Sequence, residues 1–542
     1  MKSFHLIFYP MHSFSSSQPI WKNGVIHYDR GMMEFLKKIK LIQGGMGVYV
    51  SNWRLAKTVA MEKPGITAGT VSGTGLDWVY VRLLQLGDPG GHVRRALNAF
   101  NEKFATGIGK KILDQFFLEG GKAPTSRFKN PPQQIVRAVD GSDIIPLPTQ
   151  STTSVPLALD MDNIELLIAT GFAEVWLAKE GHRGNIFINF LKKVELPLIY
   201  TLYGAMLADV DGVIVGAGNP DGLAAVCTRL ANHESVNIDI LVLYREPGED
   251  FYVPFDPKQI AEGKFAEKAL HRPALLAIAS LEGLVQMLAQ SQSEAPDGFI
   301  IEHHTAGGHN AGPQGPIRLD DLRQPIYSEL DEPDLSAIRQ IGLPFWLAGG
   351  YASQEKIEQA LNAGATGVQV GSVFALAEES GMKPAYRTAI LDEIRNGTKD
   401  SELVKTTLFS PTGFPFKVVQ LEGTLADDMV YAARTRICDI GLLQQRGLSK
   451  PDANGNRQLF QRCSAAPVEG FVKKRGLPHN TQDRRCLCNG LLSTVGLAQG
   501  TNQKEEPAIV TLGNHLDSVR RLSHQGQHPY WVRDVVEDLL GG

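Results

Sequence analysis

The chain is short of everything that marks a membrane protein, a disulfide scaffold or a nucleic-acid binder. No window of its 542 residues reaches the roughly 18 consecutive apolar residues that a membrane span requires. The start, "MKSFHLIFYPMHSFSSSQPIW", has one weak apolar run, Leu6 to Tyr9, stopped by Pro10, where a secretory signal needs about 7 to 15 apolar residues. Residues 1–39 are expected to be an N-terminal extension, with the first 35 or so poorly ordered or mis-started, on a cytoplasmic protein. Five cysteines are few for this length, which fits a reducing compartment and supplies no disulfide framework. The formal charge of −4 shows no basic excess, so neither nucleic acid nor a membrane surface is expected as the main partner. No fixed-period repeat and no low-complexity tract is present.

What is present is rhythm. From about residue 40, short apolar runs end in glycine and are followed by helix-like stretches of ten to fifteen residues. "LIQGG" leads into "SNWRLAKTVAMEK", with Ser51 or Asn52 as N-cap. "GITAGTVSGTG", "NIFINFL", "DGVIVGAG", "IDILVLY", "PALLAIA", "DGFIIEHH", "PFWLAGG" and "GVQVGSVFA" follow, and "SQEKIEQALNAGA" forms an amphipathic helix between the last two. Such alternation implies parallel strands joined by right-handed helical crossovers. Eight or so units within this length suit a (β/α)8 barrel over residues 40–377. A doubly wound open sheet is the alternative, but "GGMGVYVSN" does not spell its dinucleotide fingerprint in a usable register. Residues 87–160 break the rhythm and read as a lid, subdomain or functional insertion. Residues 378–542 read as an accessory C-terminal region, helical and irregular, that holds four of the five cysteines.

A barrel places its active site at the C-terminal ends of its strands and often binds phosphate after strands seven and eight. "LAGGYAS" offers Gly349 and Gly350 there, and "VQVGSVF" offers Gly371 and Ser372. Glycine lets backbone N–H groups approach an anion, and a following helix adds a favourable dipole. "IQGGMG", from Gln43 to Gly47, lines the same mouth. A phosphate beside apolar strand tips suits flavin mononucleotide.

"IQGGMG", "INFL", "AGGHN", "LAGG" and "GATGVQVGSVF", in this order over residues 40–376, resemble the nitronate monooxygenase (2-nitropropane dioxygenase) family. These are flavin mononucleotide-dependent (β/α)8 barrels related to flavin-dependent enoyl-acyl carrier protein reductases. The resemblance implies that Gln43, Gly44, Gly45 and Met46 contact the isoalloxazine, that Asn189 hydrogen-bonds its polar edge, and that Gly349, Gly350, Gly371 and Ser372 hold the phosphate. It implies that His309 is the catalytic base and that Gly307 and Gly308 let its loop pass close over the ring. A histidine with its usual pKa near 6.5 can take a proton from a nitroalkane carbon near neutral pH. The compact members of the family have no counterpart of the 87–160 insertion or the cysteine-bearing tail.

The implied activity is oxidation of alkyl nitronates with dioxygen. The alternative is reduction of enoyl thioesters by a reduced nicotinamide, with an acyl carrier protein as partner. A third, of another class, is an inactive barrel kept as a scaffold. No cysteine lies between residues 228 and 437, which excludes a thiolate nucleophile on a late barrel loop, and no G-x-S-x-G elbow marks a serine hydrolase. Glu302, His303, His304 and His309 match no common zinc spacing, so no metal is expected there; His303 and His304 read as capping or packing residues. His182 reads as structural and Cys227 as core. Cys438, Cys463, Cys486 and Cys488 could bind zinc or an iron–sulfur cluster, but they lack paired C-x2-C knuckles and read as buried free thiols.

Overall fold

The computed structural model describes residues 30–291, 293–501 and 504–541. Eight parallel strands close into a barrel: β1 (Leu41–Gln43), β2 (Thr67–Ser72), β3 (Asn185–Leu191), β4 (Gly212–Gly216), β5 (Ala274–Ala279), β6 (Gly298–Glu302), β7 (Phe345–Ala348) and β8 (Gly367–Val370). Each pairs with its neighbours in chain order, and β8 closes on β1 through Leu41 opposite Val368. Covered by helices outside and packed inside, these strands are buried along nearly their whole length, which is why they read as continuous apolar runs. Local signals set the helices between them: Asn52 accepts a hydrogen bond from the Leu55 N–H, and Ser353 Oγ accepts one from the Lys356 N–H at 3.2 Å.

Most of the expected N-terminal extension lies outside the described residues, but its last part is ordered. Helix Arg30–Lys38 puts Leu36 into the cluster that fills the barrel, with Ile42, Phe187, Ile214, Leu276, Ile300 and Trp346, and Met32 and Phe35 pack against it. The Trp346 indole donates to the Ile39 carbonyl at 2.9 Å. The helix plugs the barrel at the end opposite the strand tips.

One expected barrel strand is not in the barrel. "IDILVLY" splits between Val236–Asp239 and Val242–Leu243, each in a small sheet outside the barrel. Its residues alternate buried and exposed, the pattern of a sheet with one wet face rather than of a barrel strand. The 87–160 segment begins with helices His92–Phe104 and Ile108–Phe116, which with helices Trp53–Glu62, Leu76–Gln85 and Glu195–Leu207 cover helix Met161–Lys179 so that it is buried almost all round. Phe100, Phe104, Phe172 and Phe265 interlock there, with ring centroids 5.1 to 5.8 Å apart.

The rest of the 87–160 segment joins chain from far away. Thr153–Leu159 pairs with Glu249–Phe255, and Ile144–Pro146 pairs with Asn456–Arg462. The two sheets are clamped by Arg457 and Glu249, both 1% exposed, whose two hydrogen bonds measure 2.8 and 2.6 Å. Residues beyond 377 also share the barrel's own core: Ala508, Val510, Leu512, Val519, Tyr530 and Val535 sit in one cluster with Val368, Phe374 and Leu347. Among the described residues no helix is long and apolar enough to cross a membrane.

Candidate active site

The strand tips open into a cavity of about 770 Å3, in the upper part of the roughly 300–1,000 Å3 range of ligand clefts. Gly44, Gly45 and Met46 after β1, Asn189 in β3, Gly307, Gly308 and His309 after β6, Gly349 and Gly350 after β7, and Gly371 and Ser372 after β8 all line it.

Gln43 does not. It is fully buried, its Nε2 donates to Ser51 Oγ at 2.9 Å and to the Gly44 carbonyl, and its Oε1 accepts from the Thr70 N–H at 3.0 Å. With its carboxamide saturated inside the protein, Gln43 shapes the β1 loop from behind and leaves the cavity wall to the glycines after it. The backbone comes close on every side: a Cβ on Gly45 would lie 2.4 Å from Asn189 Cβ, and one on Gly307 would lie 2.8 Å from the backbone of Gly513. Gly349 and Gly350 stand at φ of +91° and +84°, where a side chain is strained.

His309 is held by a part of the chain that the barrel motifs do not include. Hairpin Val404–Thr407 with Phe416–Val419 crosses beside it, and His309 forms an isolated bridge with Phe416. Its Nε2 lies 2.8 Å from Ser410 Oγ and 3.2 Å from Thr412 Oγ1, and the Phe416 ring meets its edge at 4.9 Å. Burial, with the nearby Lys193 ammonium, pushes its pKa down to about 3, so the ring is neutral at ordinary pH. Glu302, at the tip of β6, shifts the other way: burial raises it to about 7, against the pull of Lys417.

His303 and His304 are occupied as packing residues. His303 bonds Thr305 Oγ1 at 2.8 Å and Glu332 Oε1 at 2.9 Å, while His304 stacks on Tyr327 at 3.8 Å. Among the described residues, the set of three ligand-type side chains gathered within 4.8 Å is His303, His304 and Glu332, which leaves out His309 and Glu302. His182 bonds the Ala178 carbonyl and accepts from the Gly184 N–H at 3.0 Å, a helix-end role. Cys227 is fully buried in the core.

The sequence motifs missed a whole wall. Leu442, Leu443, Leu487 and Leu491 face the cavity from the C-terminal region, with Val48, Val194 and Phe416 beside them. Lys356, His515 and Arg521 stand at the end that carries the two glycine pairs. Gln369, on β8, has an Oε1 with no hydrogen-bond partner among the described residues, although it lines the cavity. No short motif marks the four leucines, His515 or Arg521, because they reach the mouth through long-range folding; Gln369 lies inside a motif that is legible by its glycines instead.

The residues present fit a flavin nucleotide. Glycines give backbone access along one side, the orphaned Gln369 carbonyl and Asn189 offer polar contacts to a ring edge, and the glycine pairs with Ser372 and three basic side chains suit a phosphate.

Comparison with known proteins agrees with the resemblance read from the motifs over part of the chain. The nitronate monooxygenase family model matches residues 253–408, which supports an oxidoreductase. Among solved structures, FabK from Thermotoga maritima is 13% identical, covers 95% of this chain and 96% of its own, and superposes with a TM-score of 0.44. Nitroalkane oxidase from Streptomyces ansochromogenes is 15% identical over 92% of this chain and 94% of its own, with a TM-score of 0.36. The enoyl reductase domain of MlnA from the macrolactin biosynthesis cluster of Bacillus amyloliquefaciens is 12% identical over 94% and 95%, with a TM-score of 0.41. No curated protein matches the chain.

Proposed function

We propose that the chain is a flavin mononucleotide-dependent reductase of enoyl thioesters. The observation that carries this reading is the apolar wall of Leu442, Leu443, Leu487 and Leu491, built over the strand tips by residues outside the barrel. A small nitronate has no use for such a surface; an acyl chain does, since burying it there removes apolar area from water at roughly 25 cal/mol per Å2. Gly44 to Met46, Asn189, Gln369, Gly349, Gly350, Gly371 and Ser372 would hold the flavin, which when bound supplies hydride chemistry.

The protein's own groups then do the rest. His309, neutral and fixed by Ser410 and Thr412, can hydrogen-bond a substrate oxygen, but with a pKa near 3 it is a weak proton acceptor. Glu302, raised to about 7, keeps a proton near neutral pH and supplies it to the substrate carbon that becomes saturated. The leucines seat the chain and keep water out.

Nitronate oxidation is the second reading, favoured by the family match over residues 253–408. A nitronate that arrives already ionised needs no strong base, and a neutral His309 can hydrogen-bond its oxygens. Anaerobic assay separates the two: reduced-nicotinamide oxidation stimulated by crotonyl or octenoyl thioesters supports the reductase, with a rate that rises with chain length. Flavin-bearing protein that ignores thioesters but consumes oxygen with ethyl nitronate would reverse the order.

A further inference from the structure

The four cysteines of the C-terminal region come from three separate stretches of chain, yet they meet. Cys438 follows helix Asp428–Ala433, Cys463 follows strand Asn456–Arg462, and Cys486 and Cys488 open helix Leu487–Thr494. All four line a buried cavity of about 10 Å3, room for one water-sized sphere, closed otherwise by residues such as Pro411, Ile437, Leu443 and Ala465. Gathering four thiols in one place has no packing rationale when leucine or valine fills such a space better.

Two of the sulfurs face side-chain N–H donors. Gln444 Nε2 points at Cys438 Sγ at 3.5 Å, and Asn489 Nδ2 at Cys486 Sγ at 3.6 Å. Cys438 and Cys486 therefore each have a side-chain N–H donor, the usual outer support of metal-bound cysteine. Cys486 also caps the N-terminus of an eight-residue helix, where the dipole favours a negative sulfur. Arg434 lies beside Cys486, only 8% exposed and paired with Glu506 at 2.6 Å, and its Nη2 has no partner among the described residues.

We propose that Cys438, Cys463, Cys486 and Cys488 bind one zinc ion as four thiolates, and that this ion staples the C-terminal region behind the apolar wall of the active site. Leu443, Leu487 and Cys488 line both the small cavity and the large one, so the ion would sit one residue layer behind the substrate's leucines. No three of the sulfurs lie within 4.8 Å of one another, so binding must draw them inward. The inference does not depend on which substrate the barrel takes.

The test uses the full chain, purified without metal-affinity resin or chelator, with metals read by mass spectrometry. About one zinc per chain is expected, released by a mercurial reagent and lost by half or more in Cys463→Ser and Cys486→Ser, while Cys227→Ala keeps it. Should the serine variants not fold, mercurial release from the unaltered chain decides. Less than about a tenth of an equivalent of metal, with four native thiols free to titrate, would overturn the site. Iron with acid-labile sulfide would overturn the single-ion assignment.

Discussion

Two regions build the mouth of this barrel in opposite ways. The strand tips are backbone and small residues: Gly45 packs so tightly on Asn189 that one methyl group does not fit, and Gly349 and Gly350 take left-handed conformations that favour glycine. The wall contributed by residues 404–541 is side chain: four leucines toward the cavity, Ser410 and Thr412 on His309, and four cysteines behind. The first region presents backbone to the cavity from turns at the ends of strands; the second presents side chains brought in from the C-terminal region. On the proposed reading, cofactor and substrate recognition reside in different parts of the chain, and each can be broken without the other.

The sharpest break is at the clamp between the side sheets. Arg457→Ala leaves Glu249 buried without its partner and should cost about 3–5 kcal/mol in chemical denaturation. An Arg457→Met, Glu249→Leu double variant should recover most of it; equal losses in both would show that the unpaired Glu249 charge is not what destabilises the single variant. His309→Ala should lower kcat about 100-fold with flavin absorbance intact, and Ser410→Ala should fall between it and the unaltered chain. Gly45→Ala should weaken flavin binding about 10- to 100-fold by equilibrium dialysis, since overpacking there costs about 1–3 kcal/mol. Retention of full affinity would remove the strand-tip side of the comparison.

On the other side, Leu487→Ala should raise KM for octenoyl over crotonyl thioesters about tenfold and leave flavin affinity unchanged. Equal effects on both chain lengths would mean that the wall does not touch the acyl chain. The pH profile is the mildest test. Burial raises Glu302, so its proton is held below about pH 7 and lost above, and the rate should fall as pH rises through that value. Glu302→Gln should remove the inflection, whereas no step near 6.5 is expected from His309, which stays neutral throughout.

The legible part of the molecule follows the same division. The barrel's order and all eight of its strands could be read because a buried parallel strand is a continuous apolar run and a strand-to-helix turn near a phosphate is glycine. "IDILVLY" misled because it is apolar enough to resemble such a run, while its polar residues at alternate positions are those of a side sheet. Gln43 misled because position within a motif does not say which way a side chain points: its hydrogen bonds to Ser51 and Thr70 turn it away from the cavity. The leucine wall and the four-cysteine cluster left no local pattern at all.

The sequence by itself determined the barrel, the glycine cradle at its mouth and the histidine beside it, because each depends on period, turn and spacing within a few residues. Only the tertiary structure decided that Ser410 and Thr412 hold that histidine, that helix Arg30–Lys38 plugs the barrel floor, and that residues 404–541 wall the cavity. Those contacts join segments far apart in the chain, and their partners are chosen by the packing of the whole core rather than by any neighbour in sequence.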